Sequence, residues 1–372
     1  KLIETGQLDS AWGEFMVYRG QRKLFIVIFY FLLGLSLFSI GMAQSSTTEL
    51  CEGASEAKLY AGLDGWLYYS GDLVPAPPLR LPEYLSRLND ALEANGSDLA
   101  MLIVPNRGMV NPEHFDTQQD PFAAYDIEAM RQGYLDFIAS LVPAGVAAPD
   151  LLSPVLASPE REVYGQRRDP HWSPEGAQTV AEAVVETVKA LPVYNDLEQQ
   201  AFTTTKDELL EKSGGLANRV TKLCPGISFK LEPIQSYSTV AADGGTLLGE
   251  QTIDVVLFGT SFSQPGATTH FDGFLRSGLS TEIYNAADGG GAAFGAMKTF
   301  LFTPDETPEP KLILWEMPLN AANGLNLVEE FRQVIPAAGG ICDAPSALHT
   351  AEASAEGGNA TFVELAALKL SG

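Results

Sequence analysis

The sequence predicts an α/β fold in three layers, with a central and mainly parallel sheet covered by helices on both faces. Three observations predict it. Short apolar runs at 99–104, 253–258 and 312–315 have the length and near-unbroken hydrophobicity of strands buried on both sides. Between them lie longer stretches whose apolar residues recur at helical spacing. The two kinds of segment alternate, which is the pattern of βαβ units.

The first segment is a targeting signal rather than part of the fold. With Met16 taken as the natural start, Arg19, Arg22 and Lys23 precede an apolar run at 24–41, and Gly41-Met42-Ala43 supplies a small-residue cleavage site before Gln44-Ser45-Ser46. Residues 1–15 then read as an upstream extension and 16–43 as a signal peptide. A single spanning anchor is the alternative, since the run of about eighteen residues reaches the lower edge of bilayer length. Both readings put the remaining chain outside the cytoplasm, in the periplasm.

The elements follow in order. Residues 61–69 (Ala-Gly-Leu-Asp-Gly-Trp-Leu-Tyr-Tyr) read as a turn followed by an aromatic strand, 82–94 as a helix, and 99–104 (Leu-Ala-Met-Leu-Ile-Val) as a strand ending at Pro105. A helix near 124–142 carries Ile127, Met130, Tyr134, Phe137, Ile138 and Leu141 on one face. Ser173-Pro174-Glu175 has the cap, the first-turn proline and the acid of a helix start; Val180, Val184, Val185, Val188 and Leu191 form its apolar face before Pro192. Residues 195–250 show weak periodicity and are expected to be an irregular excursion. Regular structure resumes with a strand at 253–258, broken only by Asp254 and closed by the turn residue Gly259. A helix near 271–279, a strand at 282–285, a glycine-rich turn at 288–291, a helix at 292–302, a Pro-rich linker at 304–310 and a strand at 312–315 complete the alternation. Residues 341–372 are rich in Ala, Ser, Glu and Gly and remain unassigned.

Composition narrows the function. A chain of 372 residues, 45% of them hydrophobic, can bury a substantial core. Its formal net charge of −24 argues against nucleic acid and anionic membrane surfaces as partners, because both are held by Lys and Arg. Three cysteines suit an oxidising compartment: Cys51 and Cys224 could tie the start of the domain to a later loop, leaving Cys342 over, and buried free thiols are the other reading.

The chemistry gathers at two segments, Asp169-Pro170-His171-Trp172 and Gly259-Thr260-Ser261-Phe262-Ser263. A serine on a strand-to-helix turn presents its hydroxyl at the carboxyl edge of a parallel sheet, where ligands of such folds bind. An imidazole oriented by an acid can remove the hydroxyl proton and make the oxygen a nucleophile. Of the four histidines, only His171 has an acid, Asp169, spaced to bend back to its ring; His114, His270 and His349 lack one so placed. Ser263 competes with Ser261 but is further from the strand and better suited to packing. The plain alternatives are a helix-capping serine and a polar loop anchored by Trp172.

Taken with Gly62-Leu63-Asp64-Gly65-Trp66-Leu67-Tyr68, the 284–291 segment Tyr-Asn-Ala-Ala-Asp-Gly-Gly-Gly and Leu312-Ile313-Leu314-Trp315-Glu316-Met317-Pro318, these motifs resemble the SGNH-like acetyltransferase domain of the alginate O-acetyltransferase family, the AlgX/AlgJ type, over residues 50–340. The order is distinctive, since Asp-x-His precedes the serine. The resemblance implies an SGNH-hydrolase-like fold, with Ser261 as nucleophile, His171 as general base and Asp169 as its orienting acid. It also implies a Cys51–Cys224 disulfide, with Cys342 at the truncated start of a carbohydrate-binding module. The implied partners are an alginate-like polyuronate, an acetyl donor and a polysaccharide secretion complex, with no cofactor and no metal. One departure stands out. The asparagine that SGNH enzymes use for the oxyanion is replaced after the last strand by Trp315-Glu316-Met317-Pro318, so the backbone amides of Ser261 and of the 286–291 turn become the expected donors, with Asn285 a lesser candidate. A basic cleft drawn from Arg107, Arg276 or Lys298 is expected for an acidic polymer. The rival readings are an acetyl-esterase using the same triad and a noncatalytic polysaccharide-binding scaffold.

Overall fold

In the computed structural model, residues 49–75, 81–242, 253–303, 309–324 and 327–339 are described. The extension 1–15, the signal 16–43, the core of the Pro-rich linker at 304–308, and the tail 341–372 with Cys342 and His349 lie outside the described residues. In chain order the strands are β1 (Leu59–Ala61), β2 (Leu67–Tyr69), β3 (Asp98–Val104), β4 (Phe202–Lys212), β5 (Glu232–Ala241), β6 (Val255–Phe258), β7 (Ile283–Asn285) and β8 (Leu312–Pro318). The longer helices are α1 (Leu81–Glu93), α2 (Ile127–Leu141), α3 (Pro174–Ala190), α4 (Gly215–Leu223), α5 (Phe271–Leu279), α6 (Ala292–Phe302) and α7 (Leu327–Ala338).

Four of these strands make one parallel sheet in the order β3–β8–β6–β7. The residues of β6 and β8 are buried throughout, as expected of central strands with helices on both sides. The chain steps from β6 to its neighbour β7 through α5, then returns across β6 to β8 through α6. Parallel crossovers are right-handed, so reversing the direction places α5 and α6 on opposite faces. Helix α3 packs with α5, whereas α1, α6 and α7 pack together around Phe294, Trp315 and Phe331. The expected three-layer α/β architecture is therefore present.

Local chemistry sets the helix starts. Ser173 accepts the Gly176 amide at 3.0 Å ahead of α3, with Pro174 in the first turn, and Asp126 accepts the Ala129 amide at 3.0 Å ahead of α2. Caps of this kind contribute about 1 kcal/mol each. Residues 59–69 form a small antiparallel pair, β1 with β2, turned through Leu63–Gly65.

The 195–250 region departs from expectation. Over its described part it forms a long antiparallel pair, β4 with β5, with α4 between them. Its strands eluded the periodicity reading because they lie outside the central sheet and expose much of their surface: β4 runs Thr-Thr-Thr-Lys-Asp-Glu through its middle, with little apolar alternation. A disulfide joins Cys51 to Cys224, just beyond the end of α4.

Candidate active site

Ser261 lies on the turn that follows β6, at the carboxyl edge of the sheet. Gly259 allows this turn to sit tight, because a Cβ there would meet Glu316 Oε2 at 2.6 Å and Ser263 Cβ at 3.1 Å. The Ser263 amide donates to Thr260 O at 3.1 Å and the Asp288 amide to Gly259 O at 3.0 Å, so the turn is fixed from within and from the next loop.

His171 arrives from the other side, on a loop closed by the antiparallel bridge of Gly165 with Trp172. Trp172 is fully buried, and its indole N–H donates to Phe262 O at 3.1 Å, tying the histidine loop to the Ser261 turn. The Phe262 ring stands edge-on to the imidazole at 4.7 Å.

These supports bring the three residues into line. The Ser261 hydroxyl lies 2.7 Å from His171 Nε2, and His171 Nδ1 lies 2.5 Å from Asp169 Oδ1. With Nδ1–H donating to the carboxylate, Nε2 is left free to accept from Ser261. Oδ1 also accepts the His171 amide at 3.1 Å, and Oδ2 accepts the Gly215 amide at 2.6 Å. Burial alone would raise the Asp169 pKa, but the hydrogen bond and charge of His171 and the two amides hold it below the usual carboxylate value. Gly215 opens α4, whose N-terminal dipole favours the same negative charge. The site is half-open, with side-chain exposures of 23% for His171 and 16% for Asp169.

The donors available to an oxyanion can be found by elimination. In the 286–291 turn, the amides of Ala286, Ala287, Asp288, Gly290 and Gly291 donate to Leu257 O, Asn285 Oδ1, Gly259 O, Asp288 Oδ1 and Asp288 O. Among the described residues, the amides of Gly289 and Ser261 have no protein acceptor. Gly289 sits directly against Ser261: a Cβ there would lie 3.4 Å from Ser261 Cβ and 2.1 Å from the Gln264 side-chain oxygen. Asn285 braces the turn, its side-chain N–H donating to Ser263 O at 2.8 Å.

The remaining sequence candidates lie elsewhere. Ser263 is buried beneath the turn. His270 bonds Thr239 at 2.8 Å, and His114 stacks on Trp66 at 4.2 Å. The three cations expected in a basic cleft are engaged by other groups. Arg107 is only 2% exposed, pairs with Asp72 at 2.9 Å, and donates to the Leu67 and Gln166 carbonyls, so it presents no face to a cleft. Arg276 lies between Asp272 and Glu282 over the Phe202 ring, and Lys298 pairs with Glu330 at 2.8 Å. A groove of about 680 Å³ does flank the triad loop, between residues 165–168 and the β4–β5 pair. It mixes Arg167, Arg168 and Lys230 with Glu160, Glu175 and Glu232.

Sequence reasoning missed Gly215 and the contacts of the acid Glu316 behind the turn. Gly289 fell within a flagged turn, whereas Gly215 lay in the unread excursion and could be found only from the tertiary contact.

The chain has known relatives. The family model for the SGNH hydrolase-like domain of the acetyltransferase AlgX matches residues 59–319. The alginate biosynthesis protein AlgX of Pseudomonas aeruginosa is 31% identical over 237 residues, 62% of this chain and 49% of that protein; the chain thus matches about half the length of this relative. A Pseudomonas syringae pv. tomato protein named "Probable alginate O-acetylase AlgJ" is 30% identical over 288 residues, 73% of this chain and 70% of that protein. The solved structure of Pseudomonas aeruginosa AlgX superposes with a TM-score of 0.68 at 26% identity, covering 79% of this chain and 72% of that one.

Proposed function

We propose that this chain, which belongs to the family of SGNH hydrolase-like AlgX acetyltransferase domains, is an exported polysaccharide O-acetyltransferase working through a Ser261–His171–Asp169 triad and an acetyl-serine intermediate. The observation that carries the reading is the hydrogen-bonded line from Ser261 Oγ through the imidazole to Asp169, at 2.7 and 2.5 Å. In the first half-reaction Ser261 Oγ attacks the acetyl carbonyl carbon of the donor while its proton passes to His171 Nε2. The developing oxyanion takes the free amides of Ser261 and Gly289. Collapse breaks the bond to the leaving group, which receives the proton from His171. In the second half-reaction a sugar hydroxyl gives its proton to His171, attacks the acetyl-serine and leaves as the ester, restoring the Ser261 hydroxyl. Asp169 stays ionised throughout and stabilises the imidazolium.

The acceptor in this reading is an alginate-like polyuronate, supported by the names of the relatives in the family. Periplasmic placement draws support from the Cys51–Cys224 disulfide, a bond that persists in oxidising compartments. The experiment is acetyl-ester turnover by the wild type, Ser261→Ala and His171→Ala, repeated with uronate oligomers as acceptor. Acetylated oligomer establishes the transferase; acetate release alone in its presence makes the protein an esterase. Turnover that persists in Ser261→Ala removes the nucleophile assignment.

A further inference from the structure

Strand β8 is buried along its whole length, and its other residues, Leu312, Ile313, Leu314, Trp315, Met317 and Pro318, are apolar. Glu316 is the exception, and it is fully buried. A carboxylate in such a strand carries a desolvation cost of several kcal/mol unless its oxygens are well satisfied. An apolar side chain would fill the position more cheaply.

The partners of Glu316 explain why an acid stands there. Thr260 donates its backbone N–H to Oε2 at 2.7 Å, and its hydroxyl lies 3.1 Å from each carboxyl oxygen. Thr260 immediately precedes the nucleophile. Trp315 turns toward Phe294 and Phe331, so the alternation of the strand directs Glu316 to the opposite face, the side of the histidine loop. The groups facing it there are Thr260 and Ser263 from the nucleophile turn, and His171 and Tyr164 from the histidine loop. The Ser263 hydroxyl makes no hydrogen bond of standard geometry, yet it lies close enough to favour the carboxylate. Burial raises the Glu316 pKa to about 7, against the opposing pull of Thr260, Ser263 and the His171 charge.

We propose that Glu316 is a positioning residue whose carboxylate fixes Thr260, so that the Ser261 hydroxyl meets His171 and the Ser261 amide points into the site unclaimed. The inference rests on the acyl-serine reading above. It assigns to Glu316 a part in holding the Ser261 turn from behind. Glu316 itself touches no substrate.

The test is made on the whole chain with 4-nitrophenyl acetate turnover and with the rate of Ser261 labelling by phenylmethylsulfonyl fluoride, read by intact mass. Glu316→Gln keeps the size of the side chain but loses the charge. A displacement of the nucleophile by about 1 Å costs on the order of 10²-fold in rate, so kcat and the labelling rate should both fall by that order while KM holds. The acid limb of the kcat profile should lose one proton of steepness, because the variant carries no ionisation at that position. Thr260→Val removes the hydroxyl donor, and with it the acceptor of the Phe262 amide, but keeps the backbone N–H to Oε2, so it should lower kcat in the same direction by a smaller factor, with recovery in Thr260→Ser, which restores the hydroxyl. These variants keep a test in hand should Glu316→Gln fail to fold. Wild-type kcat and labelling in Glu316→Gln, or in Thr260→Val where the former does not fold, overturn the positioning role alone. If the wild-type protein is not labelled at Ser261, the acyl-serine reading falls, and Glu316 with it.

Discussion

Strand β6 is buried along its length, while β4 holds most of its side chains in solvent, and yet both regions end at the triad. The sheet delivers Ser261 directly, as the residue reached when a buried strand runs out at a tight glycine turn. The β4–α4–β5 excursion acts at one remove: the Cys51–Cys224 disulfide pins the far end of α4, and the amide of Gly215 at its near end grips Asp169. Burial places Ser261, whereas a covalent tether and one oriented amide help place Asp169. Hydrophobic packing is strong but not directional. A carboxylate needs directed donors.

The comparison can be broken most severely at the residue both regions serve. Asp169→Asn removes the charge that both His171 and α4 address, and kcat should drop by about 10⁴-fold with the fold retained, the loss typical when the imidazole is left in the wrong tautomer. A denaturation curve beside the turnover assay checks it; undiminished turnover would mean that the acid acts elsewhere.

Stability should divide the two regions next. Leu257→Ala empties a fully buried site in β6 and should cost about 2–5 kcal/mol, whereas Leu209→Ala in β4, where the side chain is 64% exposed, should stay within roughly 0.5 kcal/mol. Urea unfolding of the two variants reads the contrast directly, and equal losses would contradict the division.

Cutting the tether sharpens the second half of the argument. Cys224→Ser should lose about 2–5 kcal/mol of stability, as is usual for a native disulfide of an exported domain. Its kcat should fall as well, because α4 is then free to shift its grip on Asp169. If reduction or substitution of the bond leaves turnover untouched at temperatures where the protein stays folded, the disulfide serves stability alone.

The smallest change in structure is Gly215→Pro. Proline suits the first position of a helix, and Gly214 before it is already extended at φ −73° and ψ 150°, so α4 should survive the loss of a single N–H. Asp169 then loses one donor, and because the ring Cδ takes the direction of the N–H that reached Oδ2 at 2.6 Å, the carboxylate is also pushed off α4 and its pKa moves back up. The sign follows from linkage: a carboxyl held below its unfolded value stabilises the fold above that value, and this contribution disappears as pH falls through the folded pKa. In Gly215→Pro the contribution of Asp169 to stability should therefore be smaller and its acid loss complete at a higher pH, and kcat should fall by roughly tenfold, the worth of a hydrogen bond to a charged group. Thermal melts across the acid range measure the first effect.

Legibility followed the same division. The strands of the central sheet could be read because burial on both faces leaves an apolar run that local context does not disguise. The hydrogen-bonded line of Asp169, His171 and Ser261 could be read because the first two share a loop and Ser261 follows the end of a strand. The β4–β5 pair could not, since its strands keep polar side chains in solvent and its cross-strand partners are distant in sequence. Arg107 looked like a surface cation because sequence does not reveal that Asp72 and two backbone carbonyls wait for it in the interior.

The alternating α/β order, the capped start of α3, and the identities of the serine, histidine and aspartate that line up are all legible in the amino-acid order. Those features are local, set by side-chain periodicity, backbone preference and residue type over a few positions. Only the tertiary structure decided which amide holds Asp169, which amides around Ser261 stay unclaimed, and why an acid stands in an apolar strand behind it. Each of these depends on a hydrogen bond between groups far apart in sequence, whose direction is fixed only when the sheet, the excursion and the two loops have packed.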